Sequence, residues 1–462
     1  MKFMSCLLAL YFIIFNGLSI AYGAVDIELT QGVNTARPVA VADFIVQGES
    51  SDETLSKDMS AVIRHDLYLT GLFNTKKTMV SSVSSSPSTS FSSKKETVNS
   101  FSLFQHLLQG PTDSVAAYYF TQWKNKGYDN VLIGRVTQAA EDTLRVEVAL
   151  LDTVNTNEPL VIQRIYHGKV SQWRAMAHGI SNVIYKQLTG KKGAFLSSIA
   201  YVVVKRHWDT PDGYELVVAD MDGARPKVIL RSKDPIMSPS WSPDGKQLAY
   251  VSFEGKRANI FITELATGKR RLVAHFPGIN GAPSWSPDGQ FLAVVLSGSG
   301  MAKVYELNLS TGATQQLTFG SAIDTEPCYS ADGAELLFTS DRGGRPQIYA
   351  LNRKTHRVHR LTFIGRYNAS PCLTSDGQSM VMLHREGALY SIAVQNLSSG
   401  AIKTLTEEGY NDSPSLAPDG SMILYSSRFH DGGVLRLVSR NGEVSERLPT
   451  LLGDPQQPAW SP

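Results

Sequence analysis

Along the second half of the chain, short apolar runs alternate with polar turn residues on a fixed beat. Pro239-Ser240-Trp241-Ser242-Pro243-Asp244-Gly245 recurs as Pro283-Ser284-Trp285-Ser286-Pro287-Asp288-Gly289, and weaker copies begin at Pro327, Pro371 and Pro414. The Asp-Gly pairs start at positions 244, 288, 332, 376 and 419, a spacing of 44 residues that shortens to 43 in the last interval. A four-stranded propeller blade takes about 40–45 residues. Within each copy, Pro presets φ, Asp can bond its own backbone and Gly accepts positive φ, so the motif reads as a hairpin turn. It feeds an apolar strand such as Leu248-Ala249-Tyr250-Val251 or Leu336-Leu337-Phe338-Thr339. Third strands are expected at 259–262, 303–306 and 347–350, then turns at Thr267-Gly268, Thr311-Gly312 and Asn441-Gly442. Short fourth strands are expected at 316–318 and 360–362. The large residue two places after the first Pro (Trp241, Trp285, Tyr329) should wedge between neighbouring blades.

The ends of the array set the blade count. Residues 457–462 carry the motif only as far as Ser461-Pro462, while Ile199-Ala200-Tyr201-Val202 resembles the strand that follows an Asp-Gly and lacks a first strand before it. Pairing the two completes a sixth, split blade and removes the open sheet edge. The expected architecture is multidomain, an N-terminal α/β domain followed by an all-β, six-bladed propeller over 195–462 closed by its C-terminal strand.

Residues 24–190 lack the repeat and mix helical with strand periodicity. Strands are expected at 25–29, 37–44, 131–136, 144–148 and 160–166. Ser50 and Glu53 form a capping-box pattern ahead of Leu55, Met59, Val62, Ile63 and Leu67, whose spacing is helical. Trp173, Met176, Ala177, Ile180, Val183 and Ile184 mark a second amphipathic helix. The stretch 188–193 reads as a hinge. The Ser-rich insertion over 76–100 is too polar to bury and is expected to be a mobile loop.

Composition narrows the setting. A formal charge of +2, with no long run of Lys or Arg, argues against a nucleic-acid partner. Met1-Lys2, an apolar run over 3–20 and Ala21-Tyr22-Gly23 read as a signal peptide cleaved before Ala24. No later segment has the continuous apolar length of a membrane helix, so a soluble, exported protein in an oxidising compartment is expected. Cys328 and Cys372 then remain, at the same position of neighbouring repeats. Such positions are expected to lie too far apart for a disulfide, which needs Cα atoms about 4.4–6.8 Å apart. Free, mostly buried thiols are the expectation.

Catalytic patterns are absent from the sequence. It contains no Gly-x-Ser-x-Gly elbow, P-loop or dinucleotide fingerprint. His356 and His359 are spaced like metal ligands but are expected on opposite faces of a strand. No enzyme activity, cofactor or metal is expected, although a channel cation such as calcium stays open. The loops entering the blades converge on one mouth of the channel, a common gripping place for a peptide or protein surface. Ile279, Asn280, Ala282, Thr325, Glu326, Asn368 and Asp412 are the candidates there. The alternative reading is an exported propeller enzyme or carbohydrate binder using the channel.

With these residues in view, the chain resembles the TolB family of the Tol-Pal system. The resemblance rests on Asp26-Ile27-Glu28-Leu29-Thr30-Gln31-Gly32, Arg37-Pro38-Val39-Ala40-Val41 and Leu188-Thr189-Gly190-Lys191-Lys192-Gly193-Ala194-Phe195. It continues through the Trp241 motif, Asn280-Gly281-Ala282-Pro283, Thr325-Glu326-Pro327, Gly344-Arg345-Pro346-Gln347-Ile348-Tyr349 and Pro458-Ala459-Trp460-Ser461-Pro462. It implies a monomeric, non-enzymatic periplasmic adaptor serving outer-membrane integrity and cell division, in contact with membranes only through partners. The mouth would bind the peptidoglycan-associated lipoprotein Pal, with Ala282 and Thr325 at matching positions. Residues 24–36, including Asp26, Ile27, Glu28, Leu29 and Gln31, would bind TolA, coupled to occupancy of the mouth. Two departures stand out: Ile279 replaces a His common in the family, and the insertion over 81–100 lies outside its usual pattern.

Overall fold

The computed structural model describes residues 36–47, 53–75, 100–140, 142–207, 210–429 and 432–462. The leader, the strand expected at 25–29, the TolA-type segment before Ala36 and the insertion up to residue 99 lie outside the described residues. Ser100 opens a helix.

The N-terminal part is built on one mixed sheet. Its strands are β1 (Arg37–Val41), β2 (Ile45–Gln47), β3 (Phe73–Asn74), β4 (Asn130–Ala140), β5 (Thr143–Asp152) and β6 (Leu160–Lys169), in the order β3-β1-β4-β5-β6 with β2 also on β4. The strand expected over 37–44 ends at Val41, and a second short strand, β2, begins just past the expected range; both run parallel to β4. Between them Phe44 turns inward onto Gly134, where a Cβ would lie 2.5 Å from its ring. Helices α1 (Glu53–Leu69) and α4 (Trp173–Thr189) form where the apolar spacing placed them. Helices α2 (Ser100–Leu108) and α3 (Ser114–Asn125) were not anticipated. They cover one sheet face with Phe104, Leu107, Phe120 and Trp123. Met59, Ile63 and Leu67 of α1 and Ile180 and Ile184 of α4 cover the other face. That second layer also meets propeller residues Phe195, Leu435 and Leu437, so the two parts share one apolar core. Fully burying one such side chain contributes about 1.5–3 kcal/mol. The connector expected to hinge here is tied down: Gly190 caps α4 at φ 76°, and the Phe195 N–H donates to Asn182 Oδ1 at 3.1 Å.

Six four-stranded antiparallel sheets follow. Blades 1 to 5 run consecutively, with first strands Ile236–Trp241, Asn280–Trp285, Asp324–Tyr329, Tyr367–Leu373 and Tyr410–Leu416. Blade 6 is split: Asp454–Trp460 pairs antiparallel with Ser198–His207, joining the last strand of the chain to the propeller's first.

The Ser-Pro-Asp-Gly turns have the anticipated mechanics and one extra part. Ser242 Oγ donates to Asp244 Oδ1 at 2.6 Å and accepts the Gln247 N–H, and Gly245 sits at φ 69°. Ser286, Ser330 and Thr374 repeat the arrangement. Fourth strands end earlier than expected, at Gln316 and Arg360. Thr318 and Thr362, in the expected strands, instead turn inward to accept the N–H groups of Val304 and Ile348. His356 likewise differs, lying in a turn at φ 56° while His359 alone is on the strand.

Candidate functional site

The buried threonines shape the mouth. Because Thr318, Thr362 and the equivalent Thr406 face inward, the connection that follows each turns out to solvent on its way to the next first strand. Large apolar residues stand there. Ile279 is 54% exposed, Phe319 66%, Phe363 71%, Tyr410 67% and Leu452 89%. Each lies just before or at the start of a first strand, and antiparallel register puts all these starts at one end of the propeller. Together they make an apolar crown on the face where the first strands begin, with Tyr410 in the wall of the channel cavity there. Large exposed apolar residues gathered on one face are a candidate interaction surface. Of the crown, sequence reading singled out only Ile279. The recurring Leu-Thr-Phe at 317–319 and 361–363 was the signal available for the rest.

Beneath the crown the first strands converge on a constriction. Every first strand slips register at the residue preceding its Pro, since Pro has no N–H to give the ladder. Those six residues, Ser238, Ala282, Glu326, Ser370, Ser413 and Gln457, all take positive φ between 45° and 52°. The long side chains of the ring reach around it. Glu326 Oε2 accepts the Ser370 N–H at 2.9 Å, and Gln457 Oε1 accepts the Ser238 N–H at 2.7 Å. A cavity of about 420 Å³ with Tyr367, Tyr410 and Asp412 in its wall lies on the crown side. Another of about 490 Å³ lies on the side of the Asp-Gly turns. Desolvation inside the channel pushes the Asp412 carboxyl above the usual carboxylate range although the residue is open to the cavity, and the Glu326 charge adds to the effect. Burial, with Glu326 nearby, also pushes the Tyr367 hydroxyl up to about 12.

The remaining candidates divide in two. Ala282 and Glu326 stand on the constriction, and Thr325 opens beside them. Asn280 and Asn368 are buried, their amides spent on their own loops through the Phe276 and Ile364 carbonyls at 2.7 and 2.8 Å. They shape the crown without facing it. Nearby Asp324, fully buried, is opposed by desolvation, yet hydrogen bonds from Ser340, Arg342 and Lys303 hold it below the ordinary carboxylate range.

A second polar cluster sits between the N-terminal part and blade 6. His178 Nδ1 lies 2.8 Å from Asp66 Oδ2, and its Nε2 lies 3.9 Å from Asp222 Oδ2. Among the described residues, Asp66, His178 and Asp222 bring ligand-type atoms within 4.8 Å of one another. Arg174 already bonds Asp222, so the cluster carries its own cation.

Family models match both parts: the TolB amino-terminal domain over residues 25–95 and 103–159, and the TolB beta propeller domain over 185–462. The chain belongs to the TolB family. It is 50% identical over 456 residues to the Tol-Pal system protein TolB of Legionella pneumophila (strain Corby), covering 99% of this chain and 98% of that one. The TolB of Coxiella burnetii (strain RSA 493) is 51% identical over 452 residues, covering 96% and 95%. The crystal structure of TolB from Acinetobacter baumannii superposes with a TM-score of 0.76 at 34% identity, covering 92% of this chain and 97% of that one. Membership of the TolB family thus extends over the whole described architecture. Among the described residues, no helix is long and apolar enough to cross a membrane.

Proposed function

We propose that the chain is a non-enzymatic periplasmic adaptor of the Tol-Pal system, gripping Pal with the crowned propeller mouth and TolA with residues 24–36. The apolar crown is the observation that carries this reading, because it offers a ring of exposed anchors around a polar, constricted channel. Phe363, Tyr410 and Leu452 supply the desolvated contacts that dominate protein interfaces. Thr325, Glu326 and Asp412 lie deeper and would select polar groups on the inserted partner segment. Asn280 and Asn368 would act by holding the loop shape, with Ile279 as an apolar anchor where the family often has His. Engagement at the mouth and at the N-terminal segment would be coupled reciprocally, each partner changing the other's affinity by the same factor.

The test is Pal binding by the purified chain and by Phe363→Ala and Thr325→Arg variants. Truncating a central aromatic anchor should weaken binding roughly tenfold or more. Unchanged affinity in both variants would place the Pal site elsewhere. Removing residues 24–36 should abolish TolA binding and change Pal affinity, and an unaltered Pal affinity would sink the coupling.

A further inference from the structure

The N-terminal part meets the propeller through contacts of two kinds. The shared apolar core and the Asn441 amide on the Gly71 carbonyl involve no titrating group. Two further contacts each set a histidine of the N-terminal part against a propeller carboxylate. On α1, His65 Nε2 lies 2.9 Å from Glu446 Oε1, in the fourth strand of blade 5 (Ser445–Arg447). On α4, His178 Nε2 lies 3.9 Å from Asp222 Oδ2, just past the blade 6 strand Thr210–Asp220. Neither is an ion pair unless its histidine is protonated. The His178 contact lacks a proton when the ring is neutral. Its Nδ1 lies 2.8 Å from Asp66 Oδ2, which also accepts the Ser181 hydroxyl at 2.6 Å. With the Nδ1 proton given to Asp66, a neutral ring turns the bare Nε2 lone pair toward the Asp222 carboxylate, acceptor against acceptor. Buried Nε2 accordingly has no hydrogen-bond partner.

The charges around His178 ask for the same proton. Asp66 faces it from α1, and Asp222, with Asp220 behind it, from blade 6. Arg174 of α4 bonds Asp222 and lies 3.5 Å from Asp220, and Arg225 of blade 6 lies 2.7 Å from Asp220. Three carboxylates (Asp66, Asp220, Asp222) against two guanidinium groups (Arg174, Arg225) leave one negative charge in excess, which a proton on His178 cancels. Around His65, Glu446 is the charged group within ion-pair distance among the described residues. We propose that His65 and His178 form a two-point, pH-sensitive latch that tightens the N-terminal part onto blades 5 and 6 when both rings are protonated and loosens it when they are neutral. In the acid form His178 donates from both nitrogens, to Asp66 within its own domain and toward Asp222 across the seam, and His65 gives Glu446 a charge-assisted bond. Burial opposes the His178 charge, but the bond and charge of Asp66, with the Asp222 charge, outweigh it and raise its pKa. Burial also raises the Asp66 carboxyl, so both shifts keep a proton in the pair. A raised folded value means that the contact is fully present below the unfolded pKa of about 6.5 and is lost as pH climbs through the folded one. His65 and Glu446 are each more than a third exposed, so theirs is the weaker pin. The apolar core persists throughout, so the loss is a local opening of the seam and not unfolding of the propeller.

The test is hydrogen exchange of the purified full-length chain, read by mass spectrometry and corrected for the intrinsic pH dependence of amide exchange. Peptides covering 173–189, 220–224 and 445–447 should lose protection several-fold as pH rises from about 6 to 9, while those of blades 2 and 3 keep theirs. His65→Gln, at a partly exposed position, should fold and lose part of this dependence. His178→Gln should lose most of it. Should that buried variant fail to fold, carbon NMR of the wild-type His178 ring reads its titration directly. The latch is overturned if the seam peptides follow blades 2 and 3 at every pH, if the folded variants keep the wild-type profile, or if the His178 ring shows no titration over the interval.

Discussion

The Trp241 indole N–H reaches the Ala459 carbonyl at 3.1 Å, spanning the seam where the last strand of the chain meets the first complete blade. Trp285 makes the same bond to the Ser240 carbonyl at 3.2 Å, one blade on. Tyr329, at the third such position, turns its hydroxyl to Glu306 at 2.8 Å instead. The aromatic after each first Pro is therefore a wedge that also hydrogen-bonds, and at Trp241 it secures ring closure.

Trp241→Phe keeps most of the wedge and drops the bond, so it should cost about 1 kcal/mol. Trp241→Ala also leaves a void and should cost about 3–5 kcal/mol. Chemical denaturation of the two variants checks the step between them. Equal losses would mean that the indole bond contributes nothing to closure.

Gly71 should tolerate no side chain. It lies at φ 68°, and a Cβ there would meet Asn441 Oδ1 at 2.4 Å, while its carbonyl accepts the Asn441 side-chain N–H at 2.8 Å. Gly71→Ala therefore sets a strained backbone, costing about 1–3 kcal/mol, against a packed turn of blade 5. Increased proteolytic nicking between residues 190 and 195 should accompany the loss of stability. Wild-type protection there would show that the seam does not depend on this approach.

The propeller was legible because its signal is redundant: five Asp-Gly turns on one period, plus a truncated motif complemented by an orphan strand at 199–202. Helices α1 and α4 were equally plain, since one apolar stripe each meets one sheet face. Helices α2 and α3 follow a Ser-rich stretch, and the Asp113 side chain that caps α3 by accepting the Ala116 N–H at 3.0 Å was a signal left unread. At the site, attention fell on residues near the prolines, and of these Ala282 and Glu326 stand on the constriction. The crown escaped notice because Phe319 and Phe363 fall just past the expected fourth strands, in connections the repeat does not describe. Only the inward turn of Thr318 and Thr362 reverses their direction.

His178 makes stability depend on pH. Burial opposes its charge, but the hydrogen bond and charge of Asp66, with the Asp222 charge, outweigh this and raise its pKa; Arg174 on its own helix pulls the other way. A raised folded pKa means that its contribution is fully present below the unfolded value of about 6.5 and is lost as pH climbs through the folded value. Wild type should therefore lose stability relative to His178→Asn as pH rises from about 6 to 9. Denaturation midpoints of both proteins across that range measure the difference, and parallel pH profiles would show that His178 is neutral in the seam.

The Asp412 carboxyl should titrate above the usual carboxylate range, and the Glu326 charge should be part of the reason. Desolvation in the channel raises the Asp412 pKa first, the Glu326 charge raises it further, and the Ser413 N–H at 2.7 Å opposes both. Glu326→Gln removes the charge yet keeps an oxygen for the Ser370 N–H, so the constriction should survive while the Asp412 pKa falls. Because the folded value is raised, the associated stability is present below the unfolded pKa of about 3.9 and is lost as pH rises through the folded one. The variant should lose less over that interval than wild type. Carbon-detected NMR titration of the Asp412 carboxyl reads the shift directly, and denaturation at each pH reads its consequence. An Asp412 titration unmoved by Glu326→Gln would leave burial as the whole cause. The two carboxylates would then present independent charges, not a coupled pair, to whatever enters the mouth.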